Sequence, residues 1–182
     1  MKLAKKIIFF SLMLVLAASQ SGCIQKALFP EAHFTVVSVT PDKLRATVTE
    51  TTAAEGSEET TGTETKVTLP STVISLNSDS QIPADLVSFS IHYTTRLGEA
   101  IPAVAVPETP YSLKITPGEA VEVPMSPYTT RLYTLLELTR ADISPVNARM
   151  TFLLKDGNGN KVHVEASCLI YATWDEIEGD GA

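Results

Sequence analysis

Few side chains in this sequence are equipped for chemistry. The 182-residue chain has three histidines, His33, His92 and His163, and two cysteines, Cys23 and Cys168. Imidazole serves as a general base or a metal ligand near neutral pH, but it needs a carboxylate or a second ligand beside it. His92 and His163 fall at the outward positions of period-two segments, where a histidine is an ordinary surface residue. Asp156-Gly157-Asn158-Gly159-Asn160 places oxygen ligands at alternate positions, as a calcium loop begins. The match ends there. Lys161 stands sixth, where an EF-hand needs glycine, and Ser167 stands twelfth, where it needs glutamate. Gly and Asn at this density predict a tight turn instead. Cys168 shares an apolar face with Ala166 and Ile170, so its thiol is expected to pack as a small hydrophobe. A reactive cysteine would need an exposed, electropositive setting. No Gly-x-Ser-x-Gly elbow, glycine-rich phosphate loop or His-Glu-x-x-His occurs. The sequence therefore assigns no catalytic, cofactor-binding or metal-ligating residue, and a non-catalytic protein is expected. The alternatives are a hydrolase whose carboxylates come from distant strands, or a metal or small-ligand binder with its site in the loops.

Strands must position whatever site exists. Leu44, Ala46 and Val48 alternate with Arg45, Thr47 and Thr49. Val87, Phe89, Ile91 and Tyr93 alternate with Ser88, Ser90 and His92. Met150, Phe152 and Leu154 lead into the Asp156–Asn160 turn, and Val162, Val164, Ala166, Cys168 and Ile170 lead out of it. Period two with polar partners puts one face in a core and the other in water. Phe89 and Phe152 are expected to lie on central strands, their rings meeting residues such as Val48 or Val164. Six prolines from Pro102 to Pro127 predict edge strands and crossing loops, because proline cannot donate to a ladder. Residues 128–140 are ambiguous. Leu132, Leu135, Leu136 and Leu138 fit a helix, yet Thr129, Thr130, Thr134 and Thr139 favour extension, and the segment is expected to be mostly strand. Residues 50–65 hold five Glu, two Gly and no basic residue, which predicts an acidic loop. Trp174 is expected to close the fold, with residues 175–182 a polar tail.

Composition agrees with strands. Charged residues are 19%, below the roughly 25% of an average soluble domain, and 22 threonines favour extended backbone. About eight to ten short strands without helix–strand alternation predict an all-β, antiparallel β-sandwich. The pattern over residues 32–174 resembles fibronectin type III and other immunoglobulin-like domains of bacterial envelope proteins. The likeness is architectural, and the Cys–Trp–Cys signature of true immunoglobulin domains is absent. Such folds host many functions.

The N-terminus predicts a destination. Lys2, Lys5 and Lys6 precede an apolar run over residues 7–18 broken only by Ser11. That run is shorter than the roughly 20 residues needed to span a bilayer and fits a signal peptide over residues 1–22. Ser21-Gly22-Cys23 resembles the end of a bacterial lipobox, with Gln20 standing where the pattern usually has an aliphatic residue. The resemblance implies cleavage before Cys23 and lipid on its sulfur and new amino group, with residues 23–31 as a tether. Ile24 follows the cysteine, where aspartate would imply inner-membrane retention, so the resemblance favours the outer membrane in a host with two membranes. Losing Lys2, Lys5 and Lys6 would take the net charge from −7 to −10. So acidic a chain is not suited to nucleic acid. The expected partners are a membrane, through the lipid, and another envelope protein or polymer.

Overall fold

The computed structural model describes residues 30–52, 63–139 and 143–174. Among them are ten strands: β1 (Phe34–Thr40), β2 (Lys43–Arg45), β3 (Thr47–Thr52), β4 (Thr63–Thr68), β5 (Thr72–Ser78), β6 (Ala84–Thr94), β7 (Val106–Ile115), β8 (Val121–Met125), β9 (Val146–Asp156) and β10 (Lys161–Tyr171). One α-helix, α1 (Thr130–Thr139), lies between β8 and β9. A five-stranded sheet in the order β2-β10-β9-β6-β7 faces a three-stranded sheet in the order β1-β5-β8, and β3 and β4 form a separate hairpin. The all-β sandwich expected from the sequence is present. Pairing is antiparallel except at one edge, where β2 runs parallel to β10.

The core follows from alternation. On β9, Val146, Ala148, Met150, Phe152, Leu154 and Asp156 are buried and the intervening residues are not. On β10, Val164, Ala166, Cys168 and Ile170 point the same way. Ile74 and Leu76 of β5 and Val123 of β8 meet them from the other sheet. The proline rule also holds. Pro107 and Pro110 lie on β7 and Pro124 on β8, each an edge strand.

Several expectations are corrected. Residues 130–139 are helix, not strand. The Thr129 hydroxyl accepts the Leu132 N–H at 3.2 Å, which is an N-cap. Leu132 and Leu136, one helical turn apart, are fully buried, whereas Leu138 is 79% exposed. The Thr134 hydroxyl donates to the Thr130 carbonyl at 2.9 Å, so its polar group is satisfied without leaving the helix. On β6 the register with β9 shifts between Leu86 and Ser88. The bulge turns Val87 outward and buries Ser88, whose hydroxyl donates to Glu108 Oε1 at 2.6 Å. Phe89 is half-buried, packs against the core and meets Tyr111 edge-on, at 5.9 Å between centroids. Val48 is exposed on the hairpin. Trp174 is 44% exposed and does not seal the core. The acidic loop is shorter than expected, because residues 50–52 and 63–65 pair as strand, and its middle lies outside the described residues.

The sandwich has two distinct ends. At one, the β9–β10 turn holds the N-terminal lead-in. At the other, α1 packs under the β10 exit: the Tyr128 hydroxyl donates to the Tyr171 carbonyl at 3.2 Å, and the Thr173 hydroxyl to Glu137 Oε1 at 2.6 Å. The β3–β4 hairpin leaves from this second end, because β2 reaches Tyr171 before passing into β3.

Candidate functional site

The predicted site residues do not converge. Cys23, the expected lipidation site, and the expected signal segment lie outside the described residues. His33 precedes β1, and all three histidines are exposed. His92 pairs with Arg149, and His163 with Leu153. Those partners are four residues apart on β9, so the two imidazoles stand about 13 Å apart along the strand direction. No group of three or more His, Cys, Asp or Glu among the described residues is arranged to hold a metal ion.

Asp156 is a structural hub rather than a calcium ligand. It ends β9 almost fully buried. Its Oδ1 accepts the N–H groups of Asn158 at 2.9 Å and Asn160 at 2.8 Å. Its Oδ2 accepts the Asn160 amide at 3.0 Å and the Ala32 N–H at 3.1 Å. Burial alone would raise its pKa. The Asn160 side chain and the backbone N–H groups of Asn160, Ala32 and Asn158 outweigh that and hold the carboxyl below its ordinary value. Asn158 adds a second tie, its amide donating to the Pro30 carbonyl at 3.0 Å. Gly159 takes φ +86, a left-handed conformation that glycine adopts without a steric penalty. The turn expected from the sequence is present, and it also clasps the entering chain. Nothing local in the sequence signals that second role, because Ala32 is 124 residues away.

A cleft of about 610 Å³ is lined by Asp42, Arg96, Asn147, Ser167 and Cys168. These groups can hydrogen-bond a small polar molecule. The thiol cannot act there as a nucleophile. Burial, with a smaller contribution from the Asp42 carboxylate, pushes its pKa up to about 12, so it stays protonated at neutral pH. Tyr93 is likewise pushed up to about 12, chiefly by burial, and its hydroxyl donates to the Pro127 carbonyl at 2.7 Å. Both perturbed groups belong to the core. A smaller groove of about 280 Å³ on the outer face of the five-stranded sheet is lined by Ser88, Glu108, Thr151, Lys161 and His163.

The most unusual surface is the β3–β4 hairpin. Thr47 to Glu50 and Thr65 to Thr68, eight side chains in all, are exposed on both faces. Val48 pairs with Val67 across it, at 42% and 36% exposure. Two strands alone are marginally stable in water, and this pair hydrogen-bonds to no further strand among the described residues.

No family model matches the sequence. No curated protein matches it either. Among solved structures, it is similar to a crystal structure of a protein from Archaeoglobus fulgidus at 8% identity, covering 76% of this chain and 98% of that one, with a TM-score of 0.36. So low a score carries no argument about fold or function. No helix among the described residues is long and apolar enough to cross a membrane.

Proposed function

We propose that the chain is a lipid-anchored, non-catalytic protein of the bacterial cell envelope that binds another envelope component, with the β3–β4 hairpin as its contact element. The observation that carries this reading is the hairpin, whose described side chains are all exposed and whose edges pair with no further strand among the described residues. An unpaired strand edge invites another chain to add to it, and the Val48–Val67 pair gives an apolar point of contact. The lipobox-like Ser21-Gly22-Cys23 supports the anchor. Polarity fits as well: the lead-in is held at one end of the sandwich and the hairpin projects from the other.

The test has two arms. Mass spectrometry of the chain from membranes should find an N-terminal, acylated Cys23, and Cys23→Ser should release the protein from the membrane fraction. A photocrosslinker at Val67 should form one discrete adduct in intact cells, absent when the crosslinker replaces exposed Leu138. An unmodified Cys23 defeats the anchor. Equal capture from Val67 and Leu138 defeats the hairpin as the contact.

A further inference from the structure

The five-stranded sheet collects positive charge on its outer face at one end. Lys114 on β7 pairs with Asp85 on β6, Asp85 with Lys155 on β9, and Lys155 with Lys161 on β10. Cross-strand partners share a face, so four adjacent strands present one row, Lys114–Asp85–Lys155–Lys161, with every member exposed. None of the three lysines makes an ion pair among the described residues, not even with Asp85 between two of them. A chain of net charge −10 from Cys23 onward thus exposes three unpaired cations in a single line.

The row lies beside the exit of the lead-in. Lys155 and Lys161 flank the turn whose Asp156 holds Ala32 and whose Asn158 holds Pro30. Six residues lie between Cys23 and Pro30, and the seven steps reach at most about 25 Å when fully extended. Asp79 and Glu119 occupy the same end, beside the strands of the three-stranded sheet, and Glu31 stands between the two clasped residues, Pro30 and Ala32. This end is therefore divided, basic on the five-stranded side and acidic on the other.

We infer that Lys114, Lys155 and Lys161 rest on the anionic phospholipid headgroups of the leaflet that carries the anchor. The inference relies on the lipid anchor proposed above. The short tether keeps the row at the headgroup layer, where each lysine is attracted to anionic lipid. The acidic side is repelled, so the sandwich leans onto its five-stranded face and directs the hairpin away from the membrane.

The acylated chain is reconstituted in vesicles of phosphatidylcholine, with or without phosphatidylglycerol, and treated with an amine-reactive ester. Labelling is read at each lysine by mass spectrometry. On the anionic vesicles, labelling of Lys114, Lys155 and Lys161 should fall about fivefold, labelling of exposed Lys66 on the hairpin should not change, and high salt should restore the three. Equal labelling of the three on both vesicles overturns the inference, as does an equal fall at Lys66. If Cys23 carries no lipid, the anchor proposal fails by itself. The full chain is then coupled through Cys23 to a maleimide lipid, which buried Cys168 does not compete for, and the same labelling decides the docking separately.

Discussion

Phe152 sits at the centre of β9, fully buried, between Phe89 on β6 and Val164 on β10. Truncating it to alanine should cost about 3–5 kcal/mol, the usual loss for a buried Phe. Val87→Thr, at the bulge, should stay within about 0.5 kcal/mol because the side chain faces water, and Ser88→Ala should cost about 0.5–1.5 kcal/mol for its bond to Glu108. Chemical denaturation midpoints check all three. Simple alternation predicts the opposite order for Val87 and Ser88. It fails because the extra residue that shifts the phase of β6 is defined by pairing with β9, which a local pattern cannot register. Asp156 gives a pH-dependent test. Its folded pKa lies below the unfolded value of about 3.9, so the unfolded chain holds its proton more tightly. The stabilisation is complete above the unfolded value and is lost as pH falls through the folded one. Asp156→Asn should cost about 1–3 kcal/mol at neutral pH, since it leaves buried donors facing an amide. Denaturation of both proteins across the acid range should show that difference shrinking as the wild-type carboxyl is protonated.

Among the elements, α1 is where sequence and structure part most clearly. Four threonines between 129 and 139 argue for extension when counted by propensity. In the structure, Thr129 is the cap and Thr134 returns its hydroxyl to the preceding turn, so neither opposes the helix. The decisive signal was present in the sequence, as Leu132 and Leu136 four apart behind a capping Thr, but Leu135 and Leu138 blurred the face. A strand would place 136 and 138 on one side, whereas the helix separates them. Leu136→Ala should therefore cost about 2–5 kcal/mol and Leu138→Ala less than about 0.5 kcal/mol. Thr129→Ala should lose about 1 kcal/mol with the cap. Thermal melts of the three variants suffice. The long strands β9 and β10 were legible because their alternation is unbroken and their turn carries its own chemistry. Hairpin β3–β4 was only half legible: its outer pairs involve Glu50 and Thr65, polar residues that bury nothing and so leave no periodic trace.

For the molecule as a whole, the accessibility of Cys168 reports cooperative integrity. Its thiol is buried beneath the β10 face and protonated. A thiol reagent should leave it untouched in the native state and modify it at once in denaturant. The native rate should rise in Phe152→Ala and remain unchanged in Val87→Thr, because modification requires opening of the shared core. The sandwich class was legible in the sequence from threonine content, strand spacing and the placement of prolines. The lysine row was not. Lys114, Lys155 and Lys161 stand in no local motif, and only the register of four strands draws them together. The clasp on Ala32 and Pro30 was hidden for the same reason, as a contact between opposite ends of the chain.

That clasp has a mechanical consequence. The lead-in leaves the sandwich at the β9–β10 turn, while Thr173, whose carbonyl accepts Arg45 Nε at 3.0 Å, lies at the opposite end. Tension between the N-terminus and the C-terminal end therefore runs along the strands. It loads the Ala32–Asp156 and Pro30–Asn158 bonds first and then β1 against β5. Ladder bonds lie across the strand direction, so this tension shears them together instead of peeling them one at a time. A domain tugged by its lead-in would resist as a unit, yielding only once the whole β1 seam gives way.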